Sequence, residues 1–209
     1  MEGREKDCSV IRKRHKGGFL LVILVVFAVT LAAVGSSLTE AKVQKAQKTT
    51  SNRLYAENRG CEIMELNPLR TEEYPEITDA VKEYYRQQGE EASFVESYDN
   101  IRVYTKEGRY RGTYVVFAAY DMKIKDIYTK VPGLGTVYAQ TDEEGGCQIS
   151  AAVEDEEVRA YIQEIAQHKD VQSLMTKTQD AYQKAVRSDA LLQEALLDLK
   201  NAYEDSTGS

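Results

Sequence analysis

Few side chains in this chain have the types and spacing that catalysis requires. The 209 residues contain two histidines, and only His168 lies beyond residue 15. A Ser-His-Asp triad, a Cys-His pair or a histidine-rich metal site therefore has little to draw on. His168 stands at the end of a helical pattern, where a cation is favourable, so we interpret it as a surface residue. We predict no catalytic residues, no metal and no cofactor.

Two short motifs are interpreted as turns. Gly133-x-Gly135 follows a proline and is too short for a phosphate-binding fingerprint. Asp142-Glu143-Glu144 lacks the ligand spacing of a dedicated calcium loop, so we expect a solvated turn there. Neither motif indicates a ligand.

An uncharged apolar run extends from Phe19 to Val34. With a few neighbouring residues, a helix rising about 1.5 Å per residue spans the roughly 30 Å hydrocarbon core. The arm over residues 1–18 ends in a basic cluster, which keeps the N-terminus in the cytoplasm. We predict a single-pass signal anchor in the cell membrane over residues 19–38, with an extracytoplasmic C-terminal domain. The alternative is a signal peptide that is cleaved before Ser36.

The charge balance restricts the partners. The chain has 27 basic and 34 acidic residues, and beyond residue 18 the balance is 21 against 31, a net charge of −10. Nucleic-acid binding needs clustered Lys or Arg to displace counterions, so we expect none for the exported part. The membrane, contacted through residues 19–34, and a protein of unknown identity are the expected partners. The oligomeric state is left open.

The cysteines are divided by the predicted membrane span. Cys8 lies on the cytoplasmic side, whereas Cys61 and Cys147 lie where disulfides persist. We predict that Cys61 and Cys147 pair and join the stalk to the last strand. Two small buried thiols are the alternative.

The exported part divides into three segments. Residues 39–70 are polar and lack the apolar heptad of a coiled coil, so we expect a helical stalk or a flexible linker. The folded domain is expected over residues 71–203. A disordered tail is expected over residues 204–209.

Local periodicity predicts an α+β domain. A helix is expected between Pro75, which suits a first turn, and Gly89, which suits a stop. Alternating apolar residues then predict a curved meander of four antiparallel strands over residues 94–105, 112–128, 134–141 and 147–153. Turns are expected at residues 106–108 and 142–146. Helical spacing returns at residue 154, and Ser188-Asp189 is expected to cap a last helix.

The order of elements resembles the nuclear-transport-factor-2-like, or cystatin-like, fold. The features that carry the resemblance are the paired aromatics Tyr84-Tyr85, the long strand over residues 112–128, and a corner over residues 131–134 before the final hairpin. The resemblance covers about residues 71–153 and implies a helix packed on a curved sheet, with the later helices appended. The arm, single span and exported domain also resemble the layout of inner-membrane scaffold proteins of type IV secretion machines.

The resemblance also implies a cone-shaped interior with a carboxylate at its mouth. Asp99 and Asp121 are the candidate carboxylates, and Asp99 shares strand parity with Val95 and Val103, on the apolar face. A bulge or turn at Asp99 would instead leave it in water. The rings expected to line the cone are Tyr104, Tyr114, Tyr120 and Tyr138.

These features favour a non-catalytic, membrane-anchored domain that binds a protein partner or scaffolds an envelope complex. The alternative is a module that binds a small apolar ligand inside the cone. The least favoured interpretation is an enzyme that uses a pocket carboxylate.

Overall fold

A computed structural model describes residues 56–142 and 144–207, and side chains as far as residue 202. It is an α+β structure with a five-stranded antiparallel sheet in the order β1-β2-β3-β4-β5 and four helices. The strands are β1 (Arg70–Thr71), β2 (Val95–Glu107), β3 (Thr113–Ile124), β4 (Val131–Thr141) and β5 (Cys147–Ser150). The helices are α1 (Pro75–Glu91), α2 (Glu156–Ala166), α3 (Lys169–Ser188) and α4 (Ala190–Thr207).

The predicted helix α1 is confirmed, with a later end. Pro75 occupies its first turn, where a missing N–H costs nothing. Ile77, Val81 and Tyr85 line its buried face. The expected stop at Gly89 is not used, because the chain leaves the helix only at Ala92, in an extended conformation.

The sheet has one strand more than we expect from the sequence. β1 spans the predicted boundary between the stalk or linker (residues 39–70) and the folded domain, and Arg70 pairs with Thr105 of β2. β2 also continues through Lys106, where a turn is expected, and the chain turns between Gly108 and Thr113. β3 ends at Ile124, before the predicted residue 128, and Asp126 follows with a positive φ of 64°.

The sheet is packed on both faces. Residues 116, 118, 120 and 122 of β3 point towards α1 and α4, on what we call the α1 face. Residues 115 and 117 point the other way and pack against α2 and the start of α3, on the α2 face. This alternation is the ordinary consequence of a pleated strand.

Helix α3 connects the two faces. Val171 and Leu174 near its start pack on the α2 face, whereas Tyr182 and Val186 near its end pack on the α1 face. The helix therefore passes beside β4, the strand that it contacts, and α4 continues over the α1 face. Asp189 caps α4, as expected, by accepting hydrogen bonds from the N–H groups of Leu191 and Leu192.

The segment before β1 belongs to the folded unit. Asn58 donates backbone and side-chain hydrogen bonds to the turn after β2, and Asn67 is completely buried. The described residues 56–70, which were predicted to be a stalk or linker, therefore include segments that pack with the folded domain. At the other end, α4 runs to Thr207, so the tail expected from residue 204 begins inside a helix.

The predicted membrane span lies outside the described residues. Among the described residues, no helix is long and apolar enough to cross a membrane.

Candidate functional site

A buried lysine is the centre of the main polar site. Lys106, near the end of β2, is completely buried. Its ammonium group donates to the Asn67 carbonyl oxygen at 2.6 Å and to Asp170 Oδ2 at 2.8 Å, and it lies 3.1 Å from His168 Nδ1. An ammonium group has three N–H donors, so this one is fully used. Burying an unpaired ammonium would be very costly, and these three acceptors make the burial possible.

The partners of His168 define its tautomer. Nε2 lies 3.0 Å from the Glu62 carbonyl oxygen, which only accepts hydrogen bonds. The proton is therefore assigned to Nε2, and Nδ1 accepts from Lys106. His168 is 8% exposed and precedes the first residue of α3. Its interpretation as a surface residue was wrong, because helix periodicity does not reveal what packs over the α2–α3 junction.

Asp170 is held as a carboxylate. Its Oδ2 also accepts from the Leu69 N–H at 2.9 Å, and its Oδ1 accepts from the Val171 N–H at 2.8 Å. Burial alone would raise the pKa of this carboxyl, but the hydrogen bonds from Lys106 and Leu69 outweigh it and the pKa is lowered. The folded protein therefore favours the ionised form of Asp170.

Asn67 extends the network to the segment before β1. Its amide nitrogen donates to the carbonyl oxygens of Cys61 at 3.0 Å and Glu107 at 2.9 Å, and its Oδ1 accepts from the Glu107 N–H. The Tyr161 hydroxyl of α2 also donates to the Glu107 carbonyl, at 3.0 Å. The network thus ties residues 61–70, the end of β2 and the α2–α3 junction into one unit.

This arrangement suits a structural role. Lys106 has no unused donor, its carboxylate partner is ionised, and His168 has both ring nitrogens occupied. In the described part of the chain, no three His, Cys, Asp or Glu side chains are placed to hold a metal ion. Sequence reasoning missed this network, because Lys106 precedes Glu-Gly and looks like part of a turn.

The candidate carboxylate Asp99 lies at the surface. Register shifts in β2 after Val95 and after Asp99 change which residues face the core, so that Tyr98 points inwards and Asp99 outwards. The prediction that Asp99 lies on the apolar face is therefore wrong. The alternative, in which a bulge leaves Asp99 in contact with water, is correct. Asp99 pairs with Lys130 at 2.8 Å, and this hydrogen bond lowers the pKa of its carboxyl. Asp121, the second candidate, accepts a hydrogen bond from Asn100 at 2.8 Å.

The four candidate pocket tyrosines do not converge. Tyr120 and Tyr114 lie on the α1 face, whereas Tyr104 and Tyr138 pack on the α2 face. The ring of Tyr120 lies 4.9 Å from that of Tyr85, between centroids. The sheet thus separates the four tyrosines into two packed layers, and they do not line one cone.

Gly133 and Gly135 lie inside β4, so the expected turn is wrong. A Cβ atom on Gly135 would overlap the hydroxyl oxygen of Tyr85, and one on Gly133 would overlap the ring of Tyr120. The two glycines therefore allow two aromatic rings to lie directly on the strand. The Tyr85 hydroxyl is completely buried and has no hydrogen-bond partner among the described residues.

The predicted disulfide is not formed in this structure. Cys147, on β5, packs in the α1-face core, and Cys61 packs against the α2-face core. The two thiols are therefore separated by the sheet, and the alternative of two packed thiols is the one observed. Burial, with Glu107 and Glu62 nearby, raises the pKa of the Cys61 thiol.

An open groove of about 530 Å³ occupies the end of the α2 face. It is lined by Glu96, Asp99, Lys123, Tyr128, Thr129 and Lys130. Tyr128, in the β3–β4 loop, is 96% exposed. This is the most exposed large apolar side chain in the described part of the molecule.

Comparison of the chain with protein families, curated proteins and solved structures finds no match. The resemblances to the nuclear-transport-factor-2-like fold and to secretion scaffolds therefore stay predictions.

Proposed function

We propose that the chain is a membrane-anchored, extracytoplasmic domain that acts without catalysis by binding a protein partner or scaffolding an envelope complex. The observation that supports this most is the packing of both sheet faces by helices. Because helices cover both faces of the sheet, the surface open to a partner is the outer side of these helices, and not an interior cone. Exposed Leu191 and Leu197 on α4 give that surface apolar contact points.

The two competing functions have less support. A general base works best when its pKa lies near the operating pH, and that of Asp99 is lowered by Lys130. A module for a small apolar ligand would need an enclosed, largely apolar cavity. The tyrosines predicted to line it are packed against the sheet on opposite faces.

The anchor and topology are tested in intact cells. We expect the full-length chain to stay with membranes after alkaline extraction, and protease added from outside to remove a C-terminal tag but not an N-terminal one. A mature chain that lacks residues 1–35 would identify a cleaved signal peptide instead. Protection of the C-terminal tag would contradict the proposed orientation.

Partner binding is tested with a photoreactive amino acid at Leu191 or Leu197, and at exposed Lys82 of α1 as the control position. Both α4 positions should crosslink one and the same protein in intact membranes, and Lys82 should not. The substitution L191E should reduce the crosslink formed from Leu197. If purified full-length protein instead releases a small apolar molecule on unfolding and crosslinks no protein, the ligand-binding alternative replaces the proposal.

A further inference from the structure

Residues 61–69 connect the N-terminal part of the chain to β1 and have little apolar cover. Among their side chains only that of Asn67 is buried, and Leu66 is 65% exposed. Cys61 and Leu69 reach the α2-face core but stay partly exposed. A segment with few buried apolar contacts has low local stability. The 61–69 segment therefore depends on its hydrogen bonds to stay in place.

Three of those hydrogen bonds join the segment to the buried network. They run from His168 Nε2 to the Glu62 carbonyl at 3.0 Å, from Lys106 to the Asn67 carbonyl at 2.6 Å, and from the Leu69 N–H to Asp170 Oδ2 at 2.9 Å. Lys106 and His168 also contact each other, at 3.1 Å. A change at His168 therefore acts on two of the three hydrogen bonds at once.

His168 is the group in this network that can change its charge near neutral pH, because an imidazole ordinarily titrates between pH 5 and 8. The other titratable or charged side chains on the elements around the α2–α3 junction are Lys106 and Glu107 of β2, Cys61, Glu62 and Glu65 of the 61–69 segment, Tyr161 and Glu164 of α2, and Lys169 and Asp170 of α3. Of these described side chains, that of Lys106 is the one that bonds the ring. No carboxylate among them is in place to balance a positive charge on the imidazole.

A proton on His168 Nδ1 has no acceptor in the closed arrangement. Nδ1 would become a donor that faces the ammonium group of Lys106, which has only donors. Two cations would then lie 3.1 Å apart, where the lysine is completely buried and the histidine is 8% exposed. Asp170 cannot balance both, because its Oδ2 already accepts from Lys106 and from the Leu69 N–H. The closed arrangement therefore requires the neutral imidazole.

We propose that His168 is a pH switch, whose protonation in mildly acidic conditions releases residues 61–69 from the network and whose deprotonation restores the contact. When the segment leaves, water reaches the imidazolium and the ammonium group and solvates both charges. The open state binds one proton more than the closed state, so a falling pH favours the open state. An exposed histidine takes up its proton at about pH 6.5, so the open fraction should rise about tenfold from pH 7.5 to pH 5.5. The switch needs no partner and is independent of the proposed function.

The test is hydrogen–deuterium exchange of the purified full-length protein at pH 7.5 and pH 5.5. Each exchange rate is divided by the rate of an unstructured peptide at the same pH, which gives a protection factor. The Leu69 N–H is hydrogen-bonded to Asp170 only while the segment is closed, so the protection of residues 61–69 should fall about tenfold at pH 5.5. The protection of β3, in the centre of the sheet, should stay the same. Equal protection of residues 61–69 at both pH values overturns the switch, and so does an equal fall in β3, because the pH then acts on the whole fold.

Substitutions assign the response to His168. H168Q removes the titrating group and keeps a side chain that can donate and accept, so the protection of residues 61–69 should be the same at both pH values. The matched control is E62Q/E65Q, which removes two exposed carboxylates of the same segment and should keep the tenfold change. A response that persists in H168Q, or one that is lost in E62Q/E65Q, overturns the assignment.

A measurement on the unsubstituted chain covers the case in which H168Q does not fold. The chain contains two histidines, and nitrogen-15 NMR distinguishes a neutral ring from a protonated one. H15Q assigns the two sets of signals. His168 should be neutral at pH 7.5, with its proton on Nε2, and should become protonated in the pH range in which the protection of residues 61–69 falls. A His168 ring that is protonated while the segment stays protected overturns the switch, as does a ring that stays neutral while the segment opens.

Discussion

Lys106 and Asp170 form an ion pair of 2.8 Å between residues 64 positions apart in the chain. The lysine is completely buried, and the aspartate side chain is 27% exposed. The pair joins β2 to the first turn of α3 and, through the Asn67 carbonyl, to the segment before β1. One side chain thus holds together three parts of the chain that are distant in sequence.

Replacing Lys106 should therefore destabilise the fold strongly. In K106M the side chain keeps its length, but the Asp170 carboxylate loses its counter-ion and His168 Nδ1 loses its donor. Breaking a buried ion pair by removing one partner typically costs about 3–5 kcal/mol in the free energy of unfolding. The measurement is chemical denaturation followed by circular dichroism.

The matched control for this substitution is K123M. Lys123 also lies on a strand and pairs with a carboxylate, Glu96, at 2.7 Å, but the pair is exposed. Exposed pairs contribute little, so K123M should unfold almost as the wild type does. If K106M and K123M proved equally stable, the network would not have the structural role assigned to it.

The Asp170 carboxyl should make stability depend on pH. Its pKa is lower in the folded protein than its ordinary value, so its stabilisation is complete above the unfolded pKa of about 3.9. That stabilisation is lost as the pH falls through the lower, folded pKa. Unfolding measured from pH 6 down to pH 3 should show a steeper loss of stability below about pH 5 for the wild type than for D170N. The contributions of the other carboxyl groups to the pH dependence cancel in the difference between the two proteins. Parallel curves of stability against pH for the wild type and D170N would contradict the ionised state of Asp170.

The close approach of Tyr85 to β4 predicts a coupled pair of substitutions. G135A places a methyl group on the Tyr85 hydroxyl, and such overpacking costs about 1–3 kcal/mol or more. Y85F removes a buried hydroxyl that has no partner among the described residues, so Y85F alone should be neutral or stabilising. In the double variant, Y85F should recover most of the loss that G135A causes. Additive effects of the two substitutions in a double-mutant cycle would contradict the contact.

Local patterns in the sequence predict much of this fold. The spacing of Ile77, Val81 and Tyr85 predicts helix α1. The run of acidic residues and glycines predicts the turn before β5. These features depend on residues a few positions apart, which is the range over which periodicity carries information. The α+β class, the antiparallel meander and the capping of α4 by Asp189 follow from them.

The parts that could not be predicted depend on distant contacts. The burial of Lys106 needs acceptors from Asn67 and Asp170, and nothing beside Lys106 in the sequence indicates them. The outward direction of Asp99 depends on two register shifts, and one such shift inverts every following side chain. Gly133 looks like a turn residue until the ring packed on it is known.

The two cysteines of the described domain should behave as separate thiols. Cys147 is 2% exposed in the α1-face core, while Cys61 lies on the other side of the sheet with a raised pKa. A disulfide requires Cα atoms within about 7 Å and Cβ atoms that point towards each other, which thiols on opposite faces of a sheet do not provide. The C8S variant, unfolded without reductant and alkylated, should therefore gain two labels by mass. In the folded protein Cys61 should react slowly and Cys147 should be protected until unfolding. A C8S chain that gains labels only after reduction would contain the Cys61–Cys147 bond, and the arrangement of the two faces would then have to be different.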